Sequence, residues 1–209
     1  MQEKLRNFRA KVLVVSLNVW LYVFMLLGLL IISLVLGSLL SKNWVESDEW
    51  NGGILRISSG RNAGDHYSGK DCSSCLYSKL YKGGVVVIVF DLLSLILTLT
   101  WLTFLVFSLR GIEIFPTWIN TPVLISAFVA HWIGITTWGA VTQVNFTSST
   151  HYSSTGPGLS IAVAVLQPLI NTFYLFVFTK EREHIPELNS VRLEKRFKWS
   201  EPQTPDNKN

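Results

Sequence analysis

The length of its apolar stretches constrains this chain more than any other feature. Residues 12–40 contain no Asp, Glu, Lys or Arg, residues 83–109 contain only Asp91, and residues 114–179 contain no formally charged side chain. A helix that crosses a hydrocarbon core of about 30 Å needs about 20 mostly apolar residues. These stretches are therefore too long for ordinary core helices, and the last one has room for two crossings. The sequence predicts four membrane-spanning helices.

The predicted fold class is an all-α membrane protein, with a small β-rich loop between the first two helices of a four-helix bundle. The transmembrane domain covers residues 1–182 and a partly disordered tail covers residues 183–209. The predicted spans are 12–40, 83–109, 118–144 and 158–179, and the external loops are 41–82 and 145–157. Only 15% of the residues are charged, compared with about 25% in soluble globular proteins. We therefore expect lipid to be the solvent for most of the surface.

Basic residues at the ends of the predicted spans indicate the orientation. Lys4, Arg6, Arg9 and Lys11 precede the first span, and a second basic cluster follows the fourth span within residues 180–198. The positive-inside rule places such residues in the cytoplasm. We expect a multi-pass protein, in the plasma membrane, with both termini cytoplasmic. The net charge of +4 lies at span ends, where it meets lipid headgroups, so we expect no nucleic-acid partner.

The first external loop carries the candidate residues for partner contact. Trp44 and Trp50 flank a group of acidic residues, and the turn sequence Asn-Gly-Gly then leads into residues 54–57, an alternating run suited to a strand. Each Trp is expected either to pack beneath a small sheet or to anchor the loop at the membrane interface. The candidate contact residues are Trp44, Trp50, Gly53, Ile54 and Leu55.

Two further loop features predict covalent modification. Cys72 and Cys75 are the only cysteines, and on an oxidising side of the membrane such a pair favours a disulfide. A redox pair or half of a zinc site has the same spacing, and unpaired thiols are the third alternative; no thioredoxin-like context or second ligand pair accompanies the cysteines. Asn145 begins the one glycosylation sequon, in the second external loop.

Polar residues within the predicted spans are Asp91, His131, Gln167 and Asn171. Such groups normally face the bundle interior and hydrogen-bond to neighbouring helices, and an ionisable one can also serve a proton or ion pathway. No nucleophile and base pair, paired acidic or His motif, or phosphate-binding loop is recognisable in the sequence. We therefore expect no enzyme activity, no cofactor and no metal.

The pattern resembles the claudin/PMP22 superfamily of tetraspan proteins, which includes calcium-channel gamma-type auxiliary subunits. The matching features are a basic start, a large first loop with Trp44, Gly53-Ile54-Leu55 and two cysteines, a shorter second loop, and entry to the fourth span through residues 156–160. The final Trp of the family pattern is absent, and the cysteines are closer together than in the family. The resemblance implies an antiparallel sheet, clamped by the cysteines, over a left-handed four-helix bundle.

The leading expectation for function is a non-catalytic membrane scaffold. It would act as an auxiliary subunit of a channel or other membrane complex, or in claudin-like cell contact or self-association, through its first external loop. The alternative is a structural subunit of an energy-converting or transport complex, in which Asp91 and His131 handle protons or ions. A membrane enzyme acting on lipid or quinone is the third alternative, which the lack of a recognisable catalytic constellation disfavours. The charged segment 180–198 is a further candidate docking site for a cytoplasmic partner or anionic lipid.

Overall fold

The computed structural model of the chain describes residues 2–60, 63–67, 76–110, 119–143 and 150–182. Within these ranges four helices are long and apolar enough to cross a membrane, which confirms the predicted helical class. They are α1 (Gln2–Leu40), α2 (Leu76–Leu109), α3 (Asn120–Gln143) and α4 (Gly156–Arg182).

The helices form a closed bundle in which α2 packs on α1 and α3, while α4 packs on α1 and α3. The interior contains large apolar and aromatic side chains such as Phe24, Trp101 and Tyr174. Leu26, Ile96 and Phe176 point outward and are each at least 60% exposed. The bundle is therefore apolar on its outside as well as its inside, a distribution that suits lipid better than water.

A small antiparallel sheet extends from one end of the bundle. Its strands are β1 (Val45–Ser47), β2 (Asn51–Gly52), β3 (Ile57–Ser59) and β4 (Thr150–Tyr152), in the order β3-β2-β1-β4. The first three come from the segment after α1, and β4 comes from the segment before α4. The sheet thus joins the two inter-helix segments that leave this end of the bundle.

Several elements differ from their predicted boundaries. The first helix begins at Gln2 rather than at residue 12. The second helix begins at Leu76 rather than at residue 83, because the polar residues before Gly83 continue the helix beyond the apolar run. Residues 54–57 are not one strand: Ile54 and Leu55 bend, and β3 begins at Ile57. An added Cβ on Gly84 of α2 would lie 2.2 Å from the carbonyl oxygen of Ile54, so this peptide faces a helix rather than a neighbouring strand.

Several predicted features lie outside the described residues. These are Cys72 and Cys75 with their proposed disulfide, the sequon at Asn145, and the tail 183–209.

Candidate functional site

The sheet is attached to the bundle through Trp44, which follows α1 and immediately precedes β1. Its side chain is fully buried, and its indole N–H donates to the Ser38 carbonyl oxygen at 2.8 Å. The ring packs edge-on against Trp138 of α3, with centroids 4.7 Å apart. Burial of a Trp with its N–H satisfied gives both apolar contact and a defined orientation. Trp44 therefore fixes the start of the sheet to two helices.

The first residue of α4 completes this attachment. The backbone N–H of Gly156 donates to the Asn43 carbonyl at 2.9 Å, and the Ser38 hydroxyl donates to the Gly156 carbonyl at 3.0 Å. A Cβ on Gly156 would lie 2.5 Å from the ring of Trp44, so only glycine allows this approach. We call the set Ser38, Trp44, Trp138 and Gly156 the junction.

A second aromatic group holds the other side of the sheet on α2. Tyr67 is fully buried, stacks on Tyr77 with centroids 5.9 Å apart and contacts the edge of Trp50. Its hydroxyl donates to the Gly53 carbonyl at 3.1 Å. Burial, with a smaller contribution from Tyr77, raises the pKa of Tyr67 above its ordinary value. The phenol is therefore neutral and available as a donor at physiological pH.

The accessible side of this sheet is polar. The turn between β1 and β2 exposes Asp48 and Glu49, while the segment around β3 exposes Ser59, Asp65 and His66. The Glu46 carboxylate accepts a hydrogen bond from the Ser153 hydroxyl at 2.6 Å, which ties β1 to the residue after β4. The sheet therefore presents charged and hydrogen-bonding groups on a backbone that is held from below. We call this surface the platform.

The structure changes the role of three predicted contact residues. Trp44, Gly53 and Ile54 are buried, so as the chain stands they support the sheet instead of offering contact area. Trp50 and Leu55 are only partly buried, so part of each side chain is accessible for contact. Trp44 belongs to the core because its ring fills the space between α1, α3 and α4.

A separate buried polar group lies inside the bundle. Nδ1 of His131 on α3 lies 2.7 Å from Oδ1 of Asp91 on α2, and Nε2 lies 2.9 Å from the Ser160 carbonyl oxygen on α4. All three residues are fully buried. We call Asp91 and His131 the polar pair. It connects three of the four helices. Hydrogen bonds to neighbouring helices were expected of both residues, but their pairing with each other was not predicted.

The contacts of His131 constrain its protons. A carbonyl oxygen only accepts, so Nε2 must carry a hydrogen and donate it to Ser160. The hydrogen between Nδ1 and Oδ1 belongs either to an imidazolium facing a carboxylate or to a protonated Asp91 facing a neutral imidazole. The pair is net neutral in both forms, which costs less than burying an unpaired charge among apolar helices.

The Ser160 hydroxyl also lies near His131, with Oγ 3.3 Å from Nε2. Ser, His and Asp together have the composition of a hydrolytic triad, in which Nε2 must accept the serine proton. Here Nε2 donates to the closer carbonyl oxygen, and none of the three side chains reaches the surface. The arrangement suits a structural connection between helices better than nucleophilic attack.

The other predicted intramembrane residues, Gln167 and Asn171, are also buried on α4. Asn171 donates to the Leu124 carbonyl at 3.4 Å, whereas both amide atoms of Gln167 and Oδ2 of Asp91 have no partner within the described residues. Among those residues no group of three His, Cys, Asp or Glu side chains could hold a metal ion.

Comparison with protein-family models gives no match, and comparison with curated proteins gives no significant match.

Proposed function

We propose that this chain is a multi-pass membrane protein that acts as a non-catalytic scaffold or auxiliary subunit of a membrane complex, with the platform as its recognition surface. One observation carries the proposal: the junction holds a polar sheet in a fixed orientation at one end of a bundle that is apolar on its outside. Rigid support lowers the entropy lost when a surface binds its partner.

The orientation of this proposal follows the basic residues at the span ends. Both termini lie in the cytoplasm and the platform lies outside the cell, at the plasma membrane. The resemblance to the claudin/PMP22 superfamily supports the same arrangement, since Trp44 and Gly156 lie in two of the segments that carry it. The expected partners are other membrane proteins of a channel or junction type, or further copies of this chain.

The polar pair favours a second candidate function. Nδ1 of His131 and Oδ1 of Asp91 are close enough to share a proton, and Oδ2 of Asp91 is buried without a partner among the described residues. A subunit of a transport or energy-converting complex would use such a pair to handle protons. Both groups are sealed from the surface of this chain, so this function needs a neighbouring subunit to open a route.

Purification from native membranes in mild detergent tests the proposal. The chain should resist carbonate extraction, as an integral protein does, and should be recovered with a defined membrane protein or as self-oligomers. Recovery with a proton-translocating or redox complex would favour the second function. Extraction by carbonate would refute a membrane-spanning scaffold.

A further inference from the structure

A groove lies beside the platform, between its β3 side and the adjoining ends of α1 and α2. Its volume is about 370 Å³. Leu39 of α1 and Ile88 of α2 form part of its apolar wall, Leu55 contributes from the loop, and Lys42 and Arg56 stand among its lining residues. It therefore combines an apolar floor with two cationic side chains.

The cations of this groove are available for a ligand. Lys42 and Arg56 are exposed, and within the described residues no acidic side chain lines the groove. An acidic side chain in the lining would neutralise these positive charges. Since none is present among the described residues, an anionic group of a ligand can take that place. Arg in particular suits phosphate, because its fork of N–H donors matches two phosphate oxygens.

The backbone around both cations is well fixed. The Ser58 hydroxyl donates to the Lys42 carbonyl, which ties β3 to the end of α1. The Gly53 N–H donates to the Arg56 carbonyl at 2.8 Å, and the Tyr67 N–H donates to the Leu55 carbonyl at 3.1 Å. The two side chains therefore project from a preformed wall, as in most small-molecule sites.

The apolar floor continues away from the cations along both helices. Leu36 lies three residues before Leu39, and Leu92 lies four residues after Ile88, so each shares a helix face with the groove residue. They are 42% and 49% exposed. A volume of about 370 Å³ is near the lower end of small-molecule sites, about 300 to 1,000 Å³. It accommodates a headgroup, while acyl chains follow the helix surfaces.

We propose that this groove binds a glycerophospholipid, with the phosphate between Lys42 and Arg56 and the acyl chains along α1 and α2. The inference rests on the proposed membrane location, since only then do Leu39 and Ile88 meet lipid. It adds a specific lipid ligand to the scaffold function. The lipid would brace the β3 side of the platform against the bundle, opposite the attachment made by the junction.

Native mass spectrometry of the delipidated full chain in detergent tests this. The probes are phosphatidylglycerol, diacylglycerol with the same acyl chains, and the water-soluble headgroup glycerophosphoglycerol. We expect phosphatidylglycerol to bind at least tenfold more tightly than either of the other two. Equal binding of diacylglycerol would overturn the role of the cations, and equal binding of the soluble headgroup would overturn the role of the apolar floor.

Two variants locate the binding. The double substitution Lys42→Gln and Arg56→Gln should weaken phosphatidylglycerol binding about tenfold or more, because it removes both charge-assisted contacts to the phosphate. Lys82→Gln is the matched control: Lys82 is exposed on α2, outside the groove lining, and its loss should change binding less than twofold. Equal binding by the double variant and the wild type would refute the inference.

The outcomes also separate this inference from the proposed function. Carbonate extraction of the wild type would refute the membrane location and, with it, the proposal that the groove binds lipid. A carbonate-resistant chain whose double variant binds lipid normally would refute the groove alone. A concentration-dependent dimer that the double variant abolishes, with no lipid preference, would instead assign the groove to a second copy and overturn the lipid proposal.

Discussion

The junction and the polar pair are two ways of holding helices together with buried polar groups. At the junction, the Trp44 N–H has its acceptor and the surrounding contact is neutral and close, so stability depends on shape. In the polar pair, stability depends on the hydrogen bond that keeps Asp91 and His131 together as a net-neutral unit. A small change in volume should therefore damage the junction, whereas a change that preserves hydrogen bonding should spare the polar pair.

The largest expected effect comes from removing one member of the polar pair. His131→Leu leaves Asp91 buried without its partner, and breaking such a pair typically costs about 3 to 5 kcal/mol. Replacing both members, Asp91→Leu with His131→Leu, should recover much of this loss because no ionisable group remains. The free energy of unfolding, measured on the detergent-solubilised chain, gives the loss in the single variant and in the double variant. A single variant as stable as the double variant would show that the pair does not act as a unit.

The next effect tests the shape dependence of the junction. Gly156→Ala places a methyl group against the Trp44 ring, and such overpacking typically costs about 1 to 3 kcal/mol. Gly158→Ala is the matched control, because a Cβ there meets no atom within 4 Å and alanine favours a helix. We expect the control to keep or slightly raise the unfolding free energy. Equal loss in both variants would contradict the role of close contact.

A smaller effect concerns Tyr67 at the other side of the sheet. Tyr67→Phe removes the hydrogen bond to the Gly53 carbonyl and should cost about 1 kcal/mol. The contribution of Tyr67 to stability should fall as the pH rises. Burial raises the folded pKa above the ordinary value near 10, so the contribution is full below about pH 10 and declines as pH rises toward the folded pKa. Denaturation between pH 8 and 11.5 should show a steeper decline for wild type than for Tyr67→Phe; parallel curves would contradict this.

The sequence predicted most of the architecture because long uncharged runs have few alternative structures. It did not predict β4 or its pairing with β1, since residues from two separate loops meet only after the bundle has formed. Asp91 and His131 were each recognised as isolated polar residues in apolar runs. Their contact joins positions 40 residues apart, and no local periodicity reveals such a pair. The visible signal was the single ionisable residue in each of two adjacent spans.

Trp44 shows a different limit of sequence interpretation. A Trp beside acidic residues and a turn is compatible with an interfacial anchor or with a core position, and both were predicted. Trp44 takes the core position because Gly156 leaves the space that the indole ring fills. That complementarity lies between the segment after α1 and the start of α4, and it cannot be read from either one alone.

Recovery of the native partner complex by two charge variants tests the central claim, that the platform recognises the partner while the polar pair supports the bundle. Asp48→Lys with Glu49→Lys reverses exposed platform charge, whereas Asp91→Asn retains a donor for Nδ1 of His131 and leaves the Ser160 contact intact. After normalising to each variant's own recovery from membranes, we predict that the platform variant loses most of the complex and Asp91→Asn retains it. Loss with Asp91→Asn and retention with the platform variant would contradict the account.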